Sequence, residues 1–450
     1  MTEAPAPGHM DGMWPYHPDL LARPVPRYTS YPTAAEFGPG VDAVDQAEAL
    51  SGLSGDVSLY IHIPFCEEIC WYCGCNTGRA NKVQRLTSYL DALHREILLL
   101  GARLPRGVRV RRIAFGGGSP NAITPFDFVR LVDGLTLHLP LHDPVVSIEL
   151  DPRTLGADWG AVIRCVGITR ASMGVQTFAP RLQAAIGRIQ PEGDIVRGTE
   201  LLRAAGITSL NFDLMYGLPG QSDEDLADSL ERTAALGADR VALFGYAHVP
   251  HLIPRQKRIE ASDLPGQEAR FRMAFNGWRQ LTGAGYQSVG FDHFARPGDA
   301  LAQAARSGQL HRNFQGFTED AAPVLLGLGA SAISQFPHLI VQNEKNAGRY
   351  RMLLSQDRFA GTHGVRRSAE DQAIGAIIES LLCRNAANIG PERMRAMAGA
   401  FAPFIERGLI ETDGATTLGI RPEGLPYART IAALFDPYRQ DSARRFSSAV

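Results

Sequence analysis

Between residues 57 and 246 the chain alternates short apolar runs with amphipathic stretches, and this rhythm limits the fold more than any other feature. Residues 57–63, 108–115, 145–150, 168–175, 209–215 and 240–246 read as strands. The stretches between them have helical period: residues 83–100 put Leu86, Tyr89, Leu90, Leu93, Ile97 and Leu100 on one face, and residues 125–135 and 223–236 read likewise. A βα unit repeated about six times demands a parallel sheet with right-handed crossovers. Six units make a partial barrel, so the expected class is α/β, a partial (βα)6 TIM-like barrel.

The strands end in groups that a buried sheet does not welcome. Glu149 interrupts Val-Ser-Ile-Glu-Leu, Gln176 closes Met-Gly-Val-Gln, Asp213 sits in Leu-Asn-Phe-Asp-Leu, and Tyr246 and His248 close the last run. Burying such groups costs a few kcal/mol unless each is partnered. Each alone reads as a satisfied polar residue at a strand terminus, but their recurrence fits one ligand pocket at the barrel mouth, where α/β folds place their chemistry. Gly116, Gly117 and Gly118, at the end of the second strand, carry no side chains and offer main chain to a cofactor's amino acid moiety; read alone, the run is equally a tight turn.

Four of the six cysteines fall in one stretch, His62-Ile-Pro-Phe-Cys66-Glu-Glu-Ile-Cys70-Trp-Tyr-Cys73-Gly-Cys75-Asn-Thr77. Pro64 stops the first strand, so the cysteines lie on a loop beyond its carboxyl end. Cys66, Cys70 and Cys73, in Cys-x3-Cys-x2-Cys spacing, suit three corners of a cubane iron–sulfur cluster. Cys75 is separated from Cys73 by one residue, too close for both to ligate one cluster without strain. One iron is then open to a molecule that chelates through amine and carboxylate, as S-adenosylmethionine (SAM) does. The competing readings are a closed zinc site using all four cysteines and a redox disulfide. Cys165 and Cys383 stand alone in apolar surroundings and read as core residues.

The composition, 45% hydrophobic and 20% charged, suits a large core with one big domain and a smaller one. A net charge of −2 argues against electrostatically driven nucleic-acid binding. No apolar run approaches bilayer length and residues 1–17 lack the features of a signal peptide, so a cytoplasmic protein with no membrane partner is expected. Residues 1–21 read as a mobile tail, and residues 27–33, with Tyr28 and Tyr31, as either a segment folded over a ligand or a strap on the core. Residues 267–283 read as a long helix, 325–334 as a buried strand and turn, and 349–367 as a connector. Helical patterns at 374–382 and 394–405, followed by short strands, suggest a smaller C-terminal, mostly helical, winged-helix-like domain. The expected division is 1–55, 56–340, 341–370 and 371–450.

The cysteine stretch resembles the radical SAM signature, and its His-Ile-Pro-Phe-Cys opening and Cys-Gly-Cys-Asn ending are similar to oxygen-independent coproporphyrinogen III oxidases. So are Arg27-Tyr-Thr-Ser-Tyr-Pro-Thr33, Gly116-Gly-Gly-Ser-Pro120, Ser172-Met-Gly-Val-Gln176, Asp213-Leu-Met-Tyr-Gly-Leu-Pro219, Tyr246-Ala-His, Asp292-His-Phe-Ala-Arg-Pro297 and His311-Arg-Asn-Phe-Gln-Gly316. The resemblance implies a [4Fe-4S] cluster on Cys66, Cys70 and Cys73. It places Tyr60, Gly117, Glu149 and Ile333 on the SAM that chelates the cluster, with Tyr60 and Glu149 as the candidate catalytic residues. Tyr72, Gly118, Ser119, Gln176, Arg188, Asp213 and Ala247 would contact a second SAM. Ser119 stands where the family often has threonine, and residues 446–450 are poorer in basic side chains than the family pattern.

The implied reaction is anaerobic conversion of two propionates of coproporphyrinogen III to vinyl groups, giving protoporphyrinogen IX, through a 5′-deoxyadenosyl radical from SAM. An external electron donor and a monomer are implied as well. Arg27, Arg296 and Arg312 are candidates for pairing propionates, each with a structural salt bridge as the alternative. The rival readings are the related heme chaperone, which typically lacks the Cys75-Asn76 ending and the 27–33 and 311–318 motifs, and a zinc-dependent structural or DNA-binding protein.

Overall fold

The computed structural model describes residues 14–439. Six parallel strands form the middle of a large sheet: β1 (Gly55–Ile63), β2 (Val108–Gly117), β3 (Leu141–Leu150), β4 (Arg170–Gln176), β5 (Ser209–Tyr216) and β6 (Arg240–Gly245). They lie side by side in sequence order, with helices in the connections. This is the partial barrel that the strand–helix rhythm predicts. Leu325–Leu328 joins parallel to the free side of β1, and antiparallel strands extend both flanks: Ile333–Gln335, Leu339–Asn343 and Gly361–Arg366 beyond it, His293–Ala295 and Gln287–Val289 beyond β6.

Alternation along each strand separates two environments. On β1, Val57, Leu59, Ile61 and Ile63 are buried with Leu86, Leu90, Leu93 and Ile97 of the Val83–Arg103 helix in the main core. The intervening residues, Ser58, Tyr60 and His62, line cavities on the other face. In register across β2 to β5, Ala114 faces Ser147, Glu149 faces Ser172 and Gly174 faces Asp213. That inner face also receives a hairpin, His311–Asn313 and Gly316–Thr318.

Three expectations change here. Residues 14–21 are no mobile tail: Trp14 and Leu21 are buried in a second core with Tyr28, Tyr31, Phe271 and C-terminal residues such as Ile378, Phe401 and Tyr427. The expectation for residues 1–13, and that for 446–450, lies outside the described residues. The supposed connector contains the helix Ala347–Leu354 and the edge strand Gly361–Arg366, which pairs with Leu339–Asn343. Cys165 is exposed, because Trp159, Val162 and Ile163 take the buried face of its helix; Cys383 is buried as expected.

In the C-terminal part, the Ala369–Arg384 helix starts with a capping box on Ser368 and Asp371. It leads into a small antiparallel sheet in which Thr417–Ile420 lies between Ala386–Asn388 and Ile410–Thr412. Among the described residues, no helix is long and apolar enough to cross a membrane.

Candidate functional site

The cysteine loop is built as a closed turn at the carboxyl end of β1. Pro64 ends the strand, and the chain returns so that Phe65–Cys66 pairs with Gly78–Arg79. Gly78 N–H donates to Pro64 O (2.9 Å) and Ala80 N–H to Cys66 O (2.9 Å). Trp71 N–H donates to Ile186 O (3.1 Å), which ties the loop to the segment after β4. Cys66, Cys70, Cys73 and Cys75 all line one cavity of about 200 Å3. Tyr72, Gly117, Gly118, Ser119, Glu149, Gln176, Arg188 and Asp213 line it with them.

Tyr60 and Ile333 line an adjoining cavity of about 310 Å3, which shares Cys75, Gly117 and Glu149 with the first. Of the residues that the sequence assigns to the cluster or to SAM, only Ala247 lines neither. Its carbonyl accepts Gln256 Nε2 (3.0 Å), and the same nitrogen donates to Tyr72 O (2.9 Å), so it borders the site through Gln256.

The glycine run also makes room for its neighbours. A Cβ on Gly116 would lie 2.7 Å from the Glu149 carboxyl, one on Gly117 2.6 Å from the His62 ring, and one on Gly118 2.4 Å from Phe65 O. Gly117 also has φ 113°, a backbone conformation that favours glycine. Gly117 N–H donates to Glu149 Oε2 (3.2 Å) and Gly118 N–H to Ile63 O (2.9 Å). These two N–H groups are engaged within the protein, and the absence of side chains admits Glu149, His62 and the cysteine loop at close range.

Electrostatics divide the site. Burial, with Asp213 adding to it, pushes the Glu149 carboxyl up to about 7, against the hydrogen bond from Gly117. Burial also raises Asp213, opposed by hydrogen bonds from Ser172 Oγ (3.0 Å) and Asn211 Nδ2 (2.8 Å). His62 is pushed down to about 4 by burial and is neutral at pH 7; its Nδ1 lies 3.1 Å from Tyr60 Oη.

On the other side, Arg188 donates to Gly174 O (2.6 Å), Asp151 Oδ1 (3.2 Å) and Cys70 Sγ (3.3 Å). Arg153 reaches Asp151 Oδ2 at 2.6 Å and Cys70 Sγ at 3.7 Å. Burial works against the Asp151 charge, but Arg188 and Arg153 hold its carboxyl below the usual range. Sequence reading missed Asp151 and Arg153; the available signal was Asp-Pro-Arg directly after β3.

Burial, then the neighbouring thiols of Cys73 and Cys70, push Cys66 up to about 12. The hydrogen bond with Cys75, working against burial, brings Cys73 down to about 6, and thiolates that share one cavity are stable together around a cationic centre. Among the described residues no group of three or more His, Cys, Asp or Glu is gathered tightly enough for a single metal ion. Three cysteines around a shared cavity, with two guanidiniums beside Cys70, fit an anionic iron–sulfur cluster. Cys75 N–H donates to Cys73 Sγ (3.4 Å), the outer hydrogen bond that a ligating sulfur receives.

The segment at 27–33 divides. Arg27 reaches the end of β6, donating to Gly245 O (3.1 Å) with its guanidinium 4.9 Å above the Phe244 ring. Tyr28 and Tyr31 turn away, buried in the second core with their hydroxyls on Asp436 (2.9 and 3.5 Å). Arg312 donates to Tyr28 O and Arg27 O, holding the segment in place. Arg296 packs 4.0 Å over Tyr286 and donates to Ala284 O, and it lines none of the cavities above.

The Radical SAM superfamily profile matches residues 60–233. Over 436 residues the chain is 39% identical to the oxygen-independent coproporphyrinogen III oxidase of Cereibacter sphaeroides, covering 93% of this chain and 95% of the relative. The enzyme of that name from Escherichia coli is 37% identical, with 93% and 94% covered. A solved structure of coproporphyrinogen III oxidase from Escherichia coli, described as a radical SAM enzyme, superposes with a TM-score of 0.87 at 34% identity, covering 95% of this chain and all of that one.

Proposed function

From the premise that the chain belongs to the family of oxygen-independent coproporphyrinogen III oxidases, radical SAM enzymes, we propose that it oxidatively decarboxylates coproporphyrinogen III without oxygen. Two propionates become vinyl groups, giving protoporphyrinogen IX. At each, one hydrogen atom is taken from the β-carbon, the carboxylate leaves as CO2, and one electron passes to an acceptor. The observation that carries this reading is the pair of adjoining cavities joined through Cys75, Gly117 and Glu149 at the carboxyl end of the barrel.

Cys66, Cys70 and Cys73 hold the [4Fe-4S] cluster, and Arg188 and Arg153 offset its negative charge at Cys70. When bound, cluster and SAM supply a carbon-centred radical able to take hydrogen from an unactivated C–H bond. Tyr60, Gly117, Glu149 and Ile333 would hold the SAM, and Glu149, with its second oxygen free of Gly117, would accept from the SAM amine or ribose. Tyr72, Gly118, Ser119, Gln176, Arg188, Asp213 and Ala247 border the place for a second SAM. Hydrogen-atom abstraction needs no general base, so Glu149 and Tyr60 act by binding and orienting at the reacting end.

The proposed division is a barrel at 56–340, a connector at 341–370, a C-terminal domain at 371–450 and an N-terminal tail with the substrate-gate segment at 1–55, of which Trp14, Leu21, Tyr28 and Tyr31 pack into the second core. The cluster would need an external electron donor, and the reading extends to a monomer in the cytoplasm with no nucleic-acid partner; the net charge of −2 supports the last point. Anaerobic incubation of cluster-loaded protein with coproporphyrinogen III, SAM and a reductant tests the proposal. Protoporphyrinogen IX is expected, and heme binding without decarboxylation would favour the chaperone reading instead.

A further inference from the structure

Behind the cavity of about 310 Å3 that Tyr60 and Ile333 line is a carboxyl group that the proposed chemistry does not use. Glu96, on the Val83–Arg103 helix, is fully buried against the turn of residues 329–332, which joins Leu325–Leu328 to Ile333–Gln335. Its Oε2 accepts from Gly329 N–H and from Tyr350 Oη, both at 2.6 Å, and its Oε1 accepts from Asn343 Nδ2 at 2.8 Å. Asn343 Nδ2 also donates to Gly329 O (2.9 Å), so Gly329 is held at both its N–H and its carbonyl.

This turn has an unfavourable backbone, and its far side faces the cavity. Gly329 has φ 102°, and Ser331, which carries a side chain, has φ 65°. A left-handed residue other than glycine costs about 1–3 kcal/mol and persists where its surroundings over-determine it. A Cβ on Gly329 would lie 2.5 Å from His62 O and 2.6 Å from Tyr89 Oη. Tyr89, on the same helix as Glu96, donates to His62 O (2.8 Å) and accepts from Ala330 N–H (3.0 Å), which fastens the turn to the end of β1. Ser331 Oγ lies 3.3 Å from His62 Nε2, and the Nδ1 of that ring is 3.1 Å from Tyr60 Oη. Ser331, Ala332 and Ile333 then line the cavity together with Tyr60 and His62.

An ionised carboxyl accepts without donating, which matches the three neutral donors around Glu96, whereas a glutamine would set its amide hydrogens against one of them. Burial pushes the Glu96 carboxyl up to about 7, against those hydrogen bonds. A buried carboxyl is costly to keep, and here what it holds is the main chain of a turn that forms one wall of the cavity. We propose that Glu96 is a positioning residue for SAM: acting through Gly329, it fixes the 329–332 turn so that Ile333 and the Ser331–His62–Tyr60 chain meet the cofactor. This rests on the reading that the cavity takes the SAM that chelates the cluster, and it is independent of which substrate is decarboxylated.

The test uses full-length, cluster-loaded protein without substrate. Glu96→Gln should weaken SAM binding in calorimetric titration about tenfold, and raise the KM for SAM in substrate-free cleavage to match, with cluster content as in the parent. Tyr350→Phe leaves Gly329 and Asn343 on the carboxyl and should weaken SAM about threefold. Amide exchange over residues 329–333 should quicken in Glu96→Gln before SAM is added, while residues 209–216 of β5 keep the parent rate. A merely structural Glu96 would instead lower the melting temperature and leave the SAM affinity of the folded protein unchanged. Parent-like SAM affinity in a cluster-loaded Glu96→Gln protein would overturn the assignment. If that variant fails to fold or to hold its cluster, Tyr350→Phe decides alone, a threefold loss supporting the assignment and equal affinity overturning it. A parent that binds no SAM would overturn the reading of the cavity and this inference with it. Absence of vinyl product from a parent that binds SAM would defeat only the proposed decarboxylation.

Discussion

The two ends of the barrel interior carry similar side chains and leave them in opposite states. At the amino ends of the strands, Arg112 pairs with Glu319 (2.9 Å) and Asp320 (3.5 Å), Arg170 pairs with Glu319, and Arg240 with Asp299 (2.8 Å). Burial opposes ionisation there, yet Arg170 and Arg112 hold the Glu319 carboxyl down at about 2. At the carboxyl ends, Glu149 and Asp213 have no cationic partner within hydrogen-bonding distance among the described residues, and burial raises both. The lesson concerns partnership rather than burial. Matched charges close a floor, and unmatched carboxylates beside three thiols mark where a ligand completes the structure.

The comparison breaks most completely at the cysteines. Alanine at Cys66, Cys70 or Cys73 should abolish the anaerobic cluster chromophore and all SAM cleavage, while Cys75→Ala should keep the chromophore. Its loss in Cys75→Ala would refute the three-ligand assignment. Next is the floor: Glu319→Ala strands Arg170, leaves Arg112 with Asp320 alone and should cost about 3 kcal/mol of stability, with no direct change in SAM affinity. Chemical denaturation measures the first quantity and calorimetric titration the second.

Glu149→Gln at the mouth should do the reverse. SAM cleavage without substrate should fall about tenfold or more, since a charge-assisted hydrogen bond is lost. Its folded pKa lies above the unfolded one, so in the cluster-free protein its contribution is fully present below about pH 4.5 and is lost as pH rises to about 7. Above that, the glutamine variant should be the more stable by a few kcal/mol. Equal stability at pH 8 would mean that a cation compensates Glu149. The Glu319 carboxyl should show the opposite dependence, losing its stabilisation as pH falls from about 4.5 toward 2. The smallest effect is at the strap: Tyr28→Phe removes one hydrogen bond to Asp436 and should cost about 1 kcal/mol without altering SAM cleavage.

Alternation made the barrel legible in the sequence, because inward and outward residues of β1 to β6 differ in kind. The cysteine loop was legible from spacing alone. What stayed hidden depends on distant partners: Asp151 finds Arg188, and Arg170 finds Glu319, only through the fold. The strap was half-read, since nothing in its residues reveals that Asp436 draws Tyr28 and Tyr31 away from the barrel. The helix Ala347–Leu354 buries only Tyr350 and Leu354, too short a stripe to stand out from a connector.

The most direct measurement counts 5′-deoxyadenosine and vinyl groups in one anaerobic sample containing cluster-loaded protein, SAM, a reductant and coproporphyrinogen III. Expected is protoporphyrinogen IX, with 5′-deoxyadenosine accumulating in step with the vinyl groups and both absent from the Cys70→Ala protein. Vinyl product from Cys70→Ala, or 5′-deoxyadenosine from the parent with no vinyl product at any substrate concentration, would contradict it.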